Sequence, residues 1–169
     1  MPFTSRLNPE RMAVAHDLAR AWVADGRVSA LACETGTSLE PGGGFAVGHR
    51  DVAGTIPLPE TPIFLVASIT KPIVALGALL LVERGRMTLG DRVIDWLPEF
   101  GRHGKSGVEV RHLLTHTSGL PDMLPNNLEL RAAHAPLSRF LAETCDQPLA
   151  FPPGRGVQYQ STGLLVLAE

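Results

Sequence analysis

Met12, Ala15, Leu18, Ala19, Trp22 and Val23 recur at helical spacing and fall on one stripe. This predicts an amphipathic helix over residues 9–25, with Pro9 suited to its first turn and Gly26 stopping it. Residues 28–34 alternate in part and predict a strand; residues 35–44, rich in Gly, Ser and Pro, predict a loop, with Gly42, Gly43 and Gly44 as its flexible part. A second strand is expected over residues 45–50, pairing with the first as a hairpin. Three prolines make residues 51–62 an irregular crossing.

A different pattern follows. Ile69, Ile73, Val74, Leu76, Leu79, Leu80, Leu81 and Val82 lie on nearly every face of a predicted helix over residues 68–84, which implies burial on all sides. Asp91 is expected to cap a short helix over residues 92–97, ended by Pro98. Further helices are expected over residues 108–115 and 137–144. A last one opens at Ser161 and runs apolar to Glu169 with no Gly, Pro or basic turn to stop it, which reads as a truncated chain.

Composition narrows the class. The 169 residues suffice for one domain with a core, and 44% apolar content is ordinary for a globular protein. A net charge of −2 gives no basic face for nucleic acid. The apolar run over residues 72–82 is too short to cross a bilayer. Arg6, Glu10 and Arg11 interrupt any leader-like apolar stretch, so a soluble cytoplasmic protein is expected, with no membrane partner. Cys33 and Cys145 match no metal or redox spacing and are read as buried, reduced thiols; Trp22 and Trp96 are read as core anchors.

The chemistry starts at Ser68-Ile-Thr-Lys71. A serine hydroxyl is a weak nucleophile until a base takes its proton. Residues three apart on a helix share a face, and a serine opening the helix places its own N–H where it can help hold an oxyanion. Burial lowers a lysine's pKa toward neutrality, and the apolar residues after Lys71 are expected to supply that burial. Lys71 and Lys105 are the only lysines among 15 basic residues, and with 8 serines chance predicts only about 0.1 such matches in the chain. The bland alternative, a surface Ser and Lys, fits poorly with a helix this apolar.

From these residues a family resemblance emerges. Phe64-Leu-Val-Ala-Ser68-Ile-Thr-Lys71 resembles the nucleophile motif of class C β-lactamases, penicillin-binding proteins and the related esterases. Leu89-Gly-Asp-Arg-Val-Ile-Asp-Trp-Leu-Pro-Glu-Phe100, Val110-Arg-His-Leu-Leu-Thr-His-Thr-Ser-Gly-Leu120, and Phe151-Pro-Pro-Gly154 followed by Tyr159-Gln-Ser161 resemble further family segments in the same order. The resemblance implies an α+β, β-lactamase/transpeptidase-like fold: a mixed sheet flanked by helices plus an all-helical region. Residues 1–66 would form the first helix and strands, and residues 67–169 most of the helical part. It implies Ser68 as nucleophile, Lys71 as its base and Tyr159 as a proton shuttle, with no cofactor. Without that context Tyr159 reads as an ordinary packed aromatic.

There are two departures. Ser161 stands where the family usually has Asn. It is a candidate substrate-binding residue with one hydroxyl in place of an amide, which leans the expectation toward esters. The family's third motif, Lys- or His-x-Gly, is absent from the 169 residues and is expected beyond them, with the second oxyanion donor. His112 and His116, four apart on an expected helix, have a metal-compatible spacing but neither a Glu after His112 nor a third ligand; the resemblance makes them structural, and no metal is assigned. Asp91, Asp95 and Glu99 read as cap and surface positions.

The expectation is a carboxylesterase-like serine hydrolase working through an acyl-enzyme on small esters, its partner being a small-molecule ester or amide substrate. A β-lactamase or D,D-peptidase is the alternative within the class. An inactive truncated fragment or binding module is the alternative outside it. An open sheet edge would suit self-association or a complementing chain.

Overall fold

The computed structural model describes residues 7–38 and 41–169. It divides into two compact units, one running to Leu65 and the other comprising Val66–Glu169.

In the first unit, α1 covers Pro9–Ala24. Asn8 caps it, its side chain accepting from the Glu10 and Arg11 backbone N–H groups. Strands β1 (Ala30–Gly36) and β2 (Pro41–Gly48) pair antiparallel, from Ala30 opposite Gly48 to Thr35 opposite Gly43, with a register shift after Thr35. The hairpin was expected, but β2 starts earlier than the glycine pattern predicts. Gly42, Gly43 and Gly44 lie within the strand, not in a loop; a β-carbon on Gly44 would press on the Cys33 carbonyl oxygen, so glycine permits the strands to approach here. Residues 39 and 40 of the predicted loop lie outside the described residues. The crossing is irregular as expected. The Asp51 carboxylate organises it, accepting from the Thr55 hydroxyl at 2.7 Å and the Ile56 N–H at 2.8 Å.

The second unit is helical. A 3-10 turn, Ala67–Ile69, leads into α2, Thr70–Glu83. Next come a 3-10 turn at Val93–Asp95 and turns within Pro98–Gly107, where Arg102, His103 and Gly104 are not helical. Helices α3 (Val110–Leu114), α4 (Asn127–Ala132), α5 (Leu137–Cys145) and α6 (Thr162–Ala168) complete it. The short α4 and the turns after Pro98 have too little apolar periodicity to be read from sequence. Asp91 does not cap the turn at Val93: its carboxylate reaches back to the Thr88 N–H and hydroxyl, closing a tight loop.

Val93, Phe100, Val108, Leu113, Leu120, Leu141, Cys145 and Val166 form the core of this unit, drawn from the Val93 and Phe100 turns, α3, α5 and α6. Lys105 is also fully buried, its ammonium donating to the Gln147 carbonyl at 2.6 Å and lying over the Phe100 ring. Burial pushes that lysine's pKa down.

Three expectations are corrected. Helix α2 buries only Ala78, while Ile73 and Leu76 are 62% and 59% exposed: a helix apolar all round needs partners on every face, and within its own unit α6 supplies one. Trp22 and Trp96 are exposed rather than core anchors, and Cys33 is half-buried while Cys145 is buried.

Gly119 turns the chain at φ 85, and a β-carbon there would collide with the Phe151 carbonyl oxygen. Gly104, at φ 78, faces open space. Urea denaturation is therefore expected to show Gly119→Ala destabilised by about 3 kcal/mol or more, and Gly104→Ala by only about 1 kcal/mol, the cost of the left-handed backbone alone.

Candidate active site

The candidate residues are local at one end and remote at the other. Ser68 and Lys71 are one turn apart, so the junction of the 3-10 turn with α2 sets them on one face. Lys71 Nζ donates to Ser68 Oγ at 3.1 Å. The chain reaches the junction through Ala67, whose φ of 43 is left-handed, a conformation that costs a residue with a β-carbon roughly 1–3 kcal/mol. Ser68 stands just before α2, not within it as the sequence pattern suggested.

Tyr159 arrives from 91 residues away, and its hydroxyl donates to Ser68 Oγ at 2.8 Å. Lys71 Nζ lies 4.6 Å from the centre of the Tyr159 ring. Hydrogen bonding with Lys71 and then with Ser68 holds the phenol below its ordinary pKa, and the nearby Asp122 charge opposes this. Ser68 and Tyr159 are open to solvent and Lys71 is half-buried, so the deep burial expected for the lysine is not supplied by the described residues.

The segment carrying Tyr159 is docked on the loop after α3. The His116 carbonyl accepts from the Gln158 N–H at 2.9 Å, and His116 Nδ1 accepts from the Gln160 N–H at 3.3 Å. The His116 ring lies 4.9 Å from the Tyr159 ring. Between these contacts the Gln160 side chain is fully buried: its Oε1 accepts from the Ser118 hydroxyl at 2.6 Å, and its Nε2 donates to the His112 carbonyl at 3.4 Å. Gln158 and Gln160 are thereby held on either side of Tyr159, which leaves the tyrosine side chain projecting outward.

His112 lies in α3, its Nδ1 accepting from the Glu109 N–H in a reciprocal cap. His116 follows the helix with φ 60. The two histidines therefore share no helix face, and each spends a ring nitrogen on a backbone N–H.

The fourth candidate stands apart. The Ser161 hydroxyl donates to Asp122 Oδ1 at 2.9 Å, and the Ser161 N–H reaches the same oxygen at 2.9 Å. The structure thus joins Ser68, Lys71 and Tyr159 and turns the Ser161 hydroxyl toward a carboxylate. Asp122 and Gln160 carried no spacing signal. Gln160 looked like the variable middle of Tyr-x-Ser, and only its burial marks it.

A hydroxyl contacted by both an amine and a phenol has two routes along which a proton can be exchanged. Comparison with known proteins places the fold. A family VIII carboxylesterase superposes with a TM-score of 0.76 at 24% identity, over 99% of this chain and 46% of that one. A penicillin-binding protein homologue from Caulobacter crescentus gives 0.77 at 24%, over 97% and 44%. These likenesses establish the β-lactamase/transpeptidase-like fold. In sequence, residues 12–169 match the beta-lactamase family model, and the chain belongs to that family. It is 39% identical over 131 residues to esterase EstB of Burkholderia gladioli, covering 68% of this chain and 33% of the relative. It is 35% identical over 142 residues to a penicillin-binding protein of Bacillus subtilis (strain 168), covering 79% and 31%. The chain thus spans about a third of the length of these curated relatives. Among the described residues no helix is long and apolar enough to cross a membrane.

Tyr159 is the sole tyrosine, so phenolate absorbance reports it without interference from another phenol. Its titration midpoint is expected below the ordinary value of about 10, and Lys71→Ala is expected to raise it by removing the leading cause of the depression.

Proposed function

We propose that this protein is a serine acyl hydrolase that works through an acyl-enzyme on small esters. The observation that carries the reading is the convergence of Lys71 Nζ and Tyr159 OH on Ser68 Oγ, at 3.1 and 2.8 Å. In the first step Ser68 Oγ bonds to the acyl carbon. Its proton passes to Lys71 Nζ, which takes it in the neutral form. The tetrahedral intermediate collapses, the bond to the leaving alkoxide breaks, and the alkoxide takes a proton from the Tyr159 hydroxyl, which Lys71 reprotonates. Water then attacks the acyl carbon, giving up its proton to the same pair as the bond to Ser68 Oγ breaks and the hydroxyl is restored.

A lowered phenol pKa suits a group that must gain and lose a proton in one cycle, and the Lys71 amine beside the ring makes that exchange short. The ester preference rests on Ser161. Its hydroxyl is committed to Asp122, so it offers a substrate amide little, whereas an ester needs no such contact. Kinship with esterase EstB supports the same substrate class. The relatives also include a penicillin-binding protein, which keeps β-lactams and peptides as the competing substrates.

Intact mass after incubation with a fluorophosphonate tests the proposal. One adduct is expected on the wild type and none on Ser68→Ala. Lys71→Ala is expected to slow labelling by roughly 100-fold or more, the range typical of losing a positioned base. Equal labelling of wild type and Ser68→Ala would overturn the assignment.

A further inference from the structure

Asp122 makes more contacts to the Tyr159 segment than any sequence pattern foretold. Its Oδ1 accepts from the Ser161 N–H and hydroxyl, both at 2.9 Å. Its backbone carbonyl accepts from the Ser161 and Thr162 N–H groups at 3.1 and 3.2 Å. Next to it, the Pro121 carbonyl accepts from the Thr162 hydroxyl at 2.5 Å. Two consecutive residues of one loop thus grip two consecutive residues at the start of α6, which begin two positions after Tyr159. Among the described residues no lysine, arginine or histidine forms an ion pair with Asp122; the carboxylate is held by neutral donors alone.

Geometry gives this grip a direction. Upstream of Tyr159 the chain is tied at Gln158 to the His116 carbonyl, and downstream at Ser161 to Asp122. With the downstream tie released, the His116 and Ser118 contacts still hold Gln158 and Gln160, but the chain is free to rotate where it enters α6. A phenol at the end of a long side chain amplifies such rotation, and a loss of roughly 1 Å at a reacting pair can cost on the order of 100-fold in rate.

We propose that Asp122 is a positioning residue for the reaction: by clamping Ser161 and Thr162 it fixes Tyr159 against the Ser68 hydroxyl, and the Ser161 hydroxyl serves this clamp, not the substrate. The proposal rests on the reading of Ser68 as nucleophile for its catalytic meaning, but the clamp itself is observable without turnover. The alternative role for Asp122 is that of a helix cap, favourable at the start of α6 through the helix dipole. A cap would stabilise the fold and leave the phenol where it is.

The sole tyrosine separates the two roles. Three groups bear on its phenol: Lys71 and Ser68 lower its pKa through hydrogen bonds, and the Asp122 charge raises it. The facing His116 ring is the remaining titratable neighbour. In Asp122→Asn an amide oxygen still accepts from Ser161, so the clamp persists without the charge, and the phenol midpoint should fall. In Asp122→Ala both clamp and charge are lost. Release from Lys71 and Ser68, the two larger influences, should then dominate, and the midpoint should rise toward about 10.

The experiment is absorbance titration of wild type, Asp122→Asn, Asp122→Ala and Ser161→Ala in the full chain, with fluorophosphonate labelling rates and melting temperatures alongside. Opposite shifts in the two Asp122 variants are expected, with labelling about 10- to 100-fold slower in Asp122→Ala and largely recovered in Asp122→Asn. Ser161→Ala, which removes one hydrogen bond and no charge, should raise the midpoint by less and slow labelling without weakening reagent affinity. Midpoints that fall in both Asp122 variants, or that move in neither while the melting temperature drops, would overturn the clamp. So would a Ser161→Ala variant whose only change is weaker reagent binding, the mark of a substrate contact. If Asp122→Ala does not fold, the Ser161→Ala midpoint decides: no rise overturns the clamp. An absence of labelling in the wild type would sink the hydrolase reading, and the titrations would still decide whether Asp122 holds the phenol in place.

Discussion

The buried hydrogen bond between the Ser118 hydroxyl and Gln160 Oε1, 2.6 Å long, is the contact on which the site's geometry depends. Both residues are fully buried, so leaving either unpaired would cost about 1–3 kcal/mol, and the pairing strongly favours one docking of the Tyr159 segment. Once Gln160 points inward, Tyr159 beside it points outward, and the flanking ties at Gln158 and Ser161 bear on where it arrives. The left-handed turn at Gly119 belongs to the same arrangement. It brings the Gly119 carbonyl to the Ala150 N–H and lets Phe151 approach, which leads the chain back toward residue 159.

The site thus joins two kinds of order. Ser68 and Lys71 are set by one turn of backbone and need no tertiary contact to be near each other. Tyr159 is set by a network that spans roughly forty residues of sequence separation, through His116, Ser118 and Asp122. Hydrogen bonds in such a network strengthen one another when all are made and become a liability when one is missing. This accounts for the many polar groups clustered beside a site in which only three side chains, those of Ser68, Lys71 and Tyr159, converge.

The exposed, apolar α2 stands in contrast to this ordered loop. Its sequence calls for burial on every face, while Ala78 alone is buried. The Val93–Phe100–Leu113–Val166 cluster has a satisfied core of its own and positions α3, α5 and α6 independently of that helix's outer faces. The loops that dock Tyr159 are anchored to this cluster through Leu113 and Leu120.

Much of the framework was legible in the sequence. Helix α1, the hairpin, and α2, α5 and α6 follow from periodicity, from Pro9 in the first turn and from the stop at Gly26, because these act over a few residues of chain. The Ser68/Lys71 pair was legible for the same reason: a spacing of three on a helix is a statement about distance. Tyr159 was legible only through resemblance to a family. Asp122, Gln160 and the orientation of Ser161 were not legible at all. Their contacts cross some forty residues, and no local rule relates the two sides of a long loop. The sequence by itself determined the local elements and the Ser68/Lys71 pair. The tertiary structure decided that the one phenol meets the serine, because long-range polar docking depends on how the intervening core packs.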